Sequence, residues 1–193
     1  MSSTDDDAVI IKASLRDPDL FAVIFDRHAP YVHRYLARRL GREAADDLVG
    51  ETFLVAFGKR QRYDTGRADA RPWLYGIATN LVGQHRRDEV RRYRLHNAIG
   101  PEPAESSHAE RVVAQVAAQA MGHLLGAALA ELSDGDRDVL LLIAWEGLSY
   151  EETAAALRIP VGTVRSRLNR ARRQVREVLE VPAETQKEIR SHG

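Results

Sequence analysis

The chain of 193 residues contains no cysteine, which excludes disulfides, thiolate metal sites and cysteine redox sensing within it. Aromatic residues are only 6% of the total, and 13 glycines and 7 prolines punctuate it sparsely. Alanine and aliphatic residues dominate instead, a composition that favours helices over sheets. Long apolar runs are also missing. The longest, Val139 to Trp145, falls far short of the roughly 20 residues that cross a bilayer, so no membrane insertion is expected. The start, MSSTDDDAV, is acidic and lacks the basic and apolar segments of a secretory signal. A cytoplasmic protein is the expectation. No nucleophile–base pairing, metal-spaced histidine cluster or glycine-rich phosphate loop stands out, so neither an enzyme nor a cofactor or metal centre is expected.

What the sequence does hold is charge, unevenly spread. The 28 basic and 28 acidic residues cancel, and arginine outnumbers lysine 25 to 3. Locally they do not cancel. Arg86 to Arg94 holds five arginines against Asp88 and Glu89, and Arg158 to Arg176 holds seven with no acid. Between them, Asn97 to Leu157 carries two arginines against ten acids. Screening cuts charges off beyond about 8–10 Å, so local fields decide what binds. An arginine-rich face can be merely solvated. Here both runs end strongly patterned helices, which points to two nucleic-acid contacts joined by a segment that stays off the duplex.

The patterning divides the chain. Leu20, Ile24, Val32, Leu36 and Leu40 recur at helical spacing, with Phe21, Phe25 and Tyr35 beside them. Gly41 stops that helix, and a second runs from Arg42 to Lys59 with Leu48, Phe53, Ala56 and Phe57 inward. A turn-rich loop, Arg60 to Ala70, precedes a third helix with Pro72 in its first turn, in which Trp73, Leu74, Ile77, Ala78, Leu81 and Val82 keep the helical period. Gly100 to Ser107 reads as a linker by composition. Helix resumes near Ala109 and runs to about Leu132. Ser133 and Asp136 then start a helix with Val139, Leu140, Leu142 and Ile143 inward. These features predict an all-α chain of two small helical domains joined by a flexible acidic linker: 1–95, a linker 96–125, a helix-turn-helix domain 126–182 and a short tail 183–193.

Leu148 to Leu179 carries most information. Ser149 and Glu152 form a capping box, Arg158-Ile159-Pro160 breaks the helix, and a second helix starts near Val161. Val164, Leu168, Ala171, Val175 and Leu179 make its inner stripe. Thr163, Arg165, Ser166, Arg167, Asn169, Arg170 and Arg173 lie off it, a donor-rich surface suited to a major groove. Arginine can grip guanine through two bonds, while other donors hold phosphates.

GTVRSRLNRARRQVRE resembles the promoter-reading helix of extracytoplasmic-function (ECF) sigma factors. ADDLVGETFLVAF, from Ala45 to Phe57, is similar to the family's segment that docks on core RNA polymerase. RPWLYGIATNLVGQHRRDEVRR, from Arg71 to Arg92, resembles its helix that recognises and melts the −10 element. The three motifs stand in the family's order over about Leu20 to Leu179. The resemblance implies a sigma factor that binds core RNA polymerase and promoter DNA. Thr163, Arg165, Ser166, Arg167, Arg170 and Arg173 would meet the −35 element. Trp73, Asn80, Arg86 and Arg87 would meet the −10 element, and Asp46, Asp47 and Glu51 core polymerase. Trp73 can pack the core or stack on a base, and its spacing with Ile77 and Leu81 favours the core. An anti-sigma partner is expected, as family members are often held inactive by one. The sequence departs from the family at Gly50 (usually long and polar), Val55 (usually arginine) and Arg158 (usually glycine). A left-handed arginine costs about 1 kcal/mol or more. A stand-alone helix-turn-helix regulator would account for Leu148 to Leu179 and leave the other two motifs unexplained.

Overall fold

A computed structural model describes residues 6–97 and 125–180. Among the described residues the regular structure is helical, with no strand. The linker from Gly100, the helix start near Ala109 and the tail after residue 182 lie outside them.

The first unit starts with α1 (Asp7–Ala13), whose first turn is capped by Asp6 accepting from the Ala8 amide at 2.8 Å. A 3₁₀ turn, Pro18–Phe21, leads into α2 (Ala22–Leu40). Gly41 ends α2 at φ 88°, in the left-handed half of backbone space where glycine avoids a Cβ clash. The chain then reverses into α3 (Arg42–Lys59), and a second 3₁₀ turn, Arg60–Arg62, opens the loop to α4 (Arg71–Asn97). Ile24, Val32, Tyr35 and Leu36 of α2, Ala45, Leu48, Phe53 and Ala56 of α3, and Leu74, Tyr75, Ala78, Leu81 and Val82 of α4 form the core.

Two residues depart from the periodic reading. Leu20 and Phe25 are exposed, while Phe21 is buried. The 3₁₀ turn winds at three residues per turn, so a 3.6-residue period extended back from α2 loses phase there. Phe25 lies edge-on against Phe53 with ring centroids 4.9 Å apart.

Helix α7 (Tyr150–Leu157) starts at the expected capping box. Glu152 N donates to Ser149 Oγ at 3.1 Å, and Ser149 N donates to Glu152 Oε2 at 2.7 Å. By its contacts this stretch, residues 148–159, groups with the first unit. Gly76 of α4 lets the backbone of α7 approach closely: a Cβ there would lie 2.5 Å from the Ala156 carbonyl oxygen.

The second unit contains α5 (125–131), α6 (Asp134–Ala144) and α8 (Val161–Glu180). Ser133 caps α6 as its sequence predicts, accepting from the Asp136 amide at 3.3 Å. Arg137 closes the end of α5, donating to the Leu129, Ala130 and Leu132 carbonyls at 2.6, 2.8 and 2.9 Å. Those are carbonyls that a helix end leaves without intrahelical partners. Val139, Leu141 and Leu142 form the buried face of α6, with Leu140 and Ile143 half-buried.

Candidate nucleic-acid interface

The inner stripe of α8 is as its spacing predicts for Val164, Leu168 and Ala171, all buried, and it fades at the half-buried Val175 and exposed Leu179. Arg165, Ser166, Asn169 and Arg173 are exposed, and Thr163 is half-buried. Ser166 Oγ donates to the Thr163 carbonyl at 3.0 Å, and Arg173 lies 3.8 Å from Glu177.

Arg170 is exposed and Arg167 half-buried, and both also reach the start of α6. Arg170 grips buried Asp136 with both arms, Nε to Oδ2 at 2.7 Å and an Nη to Oδ1 at 2.8 Å. The half-buried Arg167 lies across Gly135, where an added Cβ would come within 2.6 Å of its guanidinium. The hydrogen bonds from Arg170 lower the Asp136 carboxyl below its ordinary value, against the upward pull of burial. These two arginines fix α8 to the first turn of α6, and through it the direction in which Arg165 and Ser166 project. Residues 34 apart in sequence meet there. Their charges gave no local sign of it.

The turn before α8 places Arg158 where glycine is favoured. Arg158 adopts φ 55°, ψ 45°, the left-handed conformation. Its amide bonds the Ala155 carbonyl at 3.4 Å, and the Ile159 amide bonds the Ala154 carbonyl at 3.0 Å. That pair of bonds is a Schellman closure, normally built on glycine.

On α4 the two sides of the helix divide as their chemistry requires. Leu74, Ile77 and Leu81 are buried, and Asn80 and Arg87 are exposed. Arg86 is half-buried and donates to the Arg39 carbonyl at 3.4 Å. Trp73 is half-buried, with its ring centroid 5.0 Å from that of Tyr63 in the preceding loop. The loop is internally tied. Tyr63 donates its hydroxyl to the Arg67 carbonyl at 2.6 Å, and Asp64 accepts from the Gly66 amide at 3.0 Å. Asp69 accepts from the Arg71 amide at 2.8 Å. Burial first, then nearby Asp7, pushes the Tyr63 hydroxyl far above its ordinary value, so it remains a donor.

Behind this loop sits a buried cluster that no local pattern foretells. The Asp7 carboxylate accepts from His28 Nε2 at 2.8 Å, from Arg27 at 2.6 Å and from the Ala70 amide at 2.9 Å. Burial pulls the Asp7 carboxyl up, but the bonds from His28, Ala70 and Arg27 outweigh it and hold the group below its ordinary value.

Helix α3 presents Asp46, Asp47 and Glu51 to solvent, and Asp46 also accepts from His33 Nε2 at 2.7 Å. Leu54, next along that exposed stripe, is 71% exposed. Gly50 and Gly58 flank it with open space where a Cβ would stand. Leu54 was not anticipated as a surface residue, although its place three residues after Glu51 puts it on the same face. Among the described residues no helix is long and apolar enough to cross a membrane.

The Sigma-70 region 2 family matches residues 24–92, and the Sigma-70 region 4 family matches residues 123–175. ECF RNA polymerase sigma factor SigE of Mycolicibacterium smegmatis is 37% identical over 156 residues, 79% of this chain and 59% of that protein. RNA polymerase sigma factor CarQ of Myxococcus xanthus is 35% identical over 162 residues, 83% of this chain and 90% of that protein. Among solved structures, the sigma factor RpoE of Bartonella quintana, in complex with the anti-sigma factor NepR, aligns with a TM-score of 0.62 at 25% identity, covering 83% of this chain and 97% of that one. CnrH, in complex with the cytosolic domain of CnrY, aligns with a TM-score of 0.63 at 26% identity, covering 92% and 99%. The chain thus belongs to the bacterial sigma factors, the subunits that direct promoter-specific transcription. Within them it is a member of the ECF subfamily.

Proposed function

We propose that the chain divides its work along the regions expected from sequence. Residues 1–95 dock on core polymerase and open the −10 element, 96–125 link, and 126–182 read the −35 element, with 183–193 a short tail. Asp47 and Glu51 of α3, joined by Leu54, form the docking stripe, with Asp46 bracing α3 to α2 through His33. Asn80 receives an unstacked base beside the Tyr63–Trp73 wall, and Arg86 and Arg87 hold phosphate there. On α8, Arg165 and Ser166 meet base edges with Thr163, and Arg173 contacts phosphate, while Arg167 and Arg170 set the helix direction from α6. The observation that carries this reading is the pair of donor-rich, exposed helix faces, one on α4 and one on α8, each backed by a packed core. The protein acts in the cytoplasm and catalyses nothing itself. The two solved relatives described above were captured with another protein, an anti-sigma factor in the Bartonella case. We infer a partner of that class for this chain.

The test is reconstitution with core polymerase on a library of genomic promoters. Specific start sites should be used with both components and with neither alone. Operator binding as tight without polymerase would overturn the reading.

A further inference from the structure

Helix α1 lies outside the matched family regions, yet it holds both ends of the loop between α3 and α4. At the start of the loop, Arg60 donates to the Ser14 carbonyl at the end of α1, at 3.4 Å. At its end, the Ala70 amide donates to Asp7 in the first turn of α1, at 2.9 Å. Asp7 is 3% exposed. With its carboxylate ionised, His28 Nε2 must carry the hydrogen of their 2.8 Å bond, which fixes the ring and leaves its buried Nδ1 without a hydrogen-bond partner. A buried charge with three donors is a costly way to secure a short helix if stability were its only purpose. What the geometry does supply is registration. The bond to Ala70 falls one residue before α4 begins and three before Trp73, so it sets where the loop meets the helix.

We propose that Asp7 is a positioning residue for promoter opening, holding the loop of residues 60–70 in the shape that receives the unstacked base. The proposal rests on the reading that this loop and Asn80 form the −10 site. Asp7 contacts no DNA. It acts through Ala70 and the Tyr63–Trp73 wall.

The experiment uses the full chain with core polymerase in three forms: Asp7→Asn, Asn80→Ala, and a chain with lactic acid at position 70, which replaces the Ala70 amide donor by an ester oxygen and leaves every side chain in place. Permanganate reactivity is read on a duplex promoter and on one pre-melted at −10, with core affinity measured alongside. Asp7→Asn and the position-70 ester should each lower duplex opening about tenfold, lose less on the pre-melted template, and leave core affinity unchanged. Hydrogen exchange at Ala70 in Asp7→Asn should rise at least tenfold. Impaired opening in Asn80→Ala with normal opening in the position-70 ester would overturn the role of Asp7 and spare the −10 reading. Normal opening in Asn80→Ala would instead overturn that reading. Because the ester leaves the buried charges in place, it decides the matter even if Asp7→Asn fails to fold.

Discussion

Replacing Arg158 with glycine should stabilise the turn before α8, by an amount the backbone sets. Arg158 sits at φ 55°, ψ 45°, where an L-residue pays about 1–2 kcal/mol for the approach of Cβ to the following carbonyl. Glycine escapes that strain, but its freer unfolded chain takes back about 0.4–1 kcal/mol. The difference leaves a net gain of about 0.5–1 kcal/mol. Asparagine, which tolerates the left-handed region, should fall between glycine and arginine, and valine should lie below arginine by 1 kcal/mol or more. The local probe is hydrogen exchange at the Ile159 amide, whose 3.0 Å bond to the Ala154 carbonyl closes the motif. Urea unfolding of the whole chain supplies the second readout. The order glycine, asparagine, arginine, valine is the content of the prediction. A glycine variant less protected than the parent, or a valine variant equal to it, would show that contacts of the arginine side chain outweigh the backbone and refute the reasoning.

Reversing Asp47 and Glu51 to lysine should weaken binding to core polymerase by tenfold or more and leave the circular dichroism spectrum unchanged; fluorescence anisotropy with labelled chain checks both the affinity and its salt dependence. Arg165→Ala should cost about 1–3 kcal/mol and relax preference at particular −35 positions, whereas Arg173→Ala should weaken all sequences alike. Selection of bound −35 variants separates the two, and a uniform loss for Arg165→Ala would refute its role as reader. Asp7 and Asp136 titrate below the ordinary 3.8 in the folded chain, so their stabilisation is complete above about pH 4 and is lost as pH falls through the lower folded values. Acid unfolding should therefore steepen below pH 4, and Asp136→Asn should be less stable at neutral pH with a shallower acid limb.

The helices that could be read from sequence were those whose signals are local. The 3.6-residue period of α2, α4 and α8, the Ser149 and Ser133 caps and the strained residue at 158 all concern neighbours within a turn or two. Helix α1 escaped because it is seven residues long, too short for periodicity to show, and its anchor is Asp7 meeting His28 and Ala70 far along the chain. The same limit applied on α8. Spacing alone puts Arg167 and Arg170 off the apolar stripe and so with the DNA-facing donors. Only the fold reveals Gly135 and Asp136 waiting for them on α6. Packing of α6 around Leu141 rather than Leu140 and Ile143 was equally invisible, since nearly every position from Val139 to Ile143 is apolar.

The Asp136–Arg170 pair also changes how the basic run of α8 must be counted. Each arginine that neutralises a phosphate releases condensed counterions, and the steepness of binding against salt reports how many do so. A guanidinium held by two hydrogen bonds to a buried carboxylate, as Arg170 is, contributes less to that count. The seven arginines between 158 and 176 therefore overstate the electrolyte signature of this helix, because the half-exposed Arg170 already pairs with the buried Asp136 carboxylate. Salt titration of −35 binding would read the arginines not held by Asp136, and a titration slope near the full formal count would mean that DNA draws Arg170 away from Asp136.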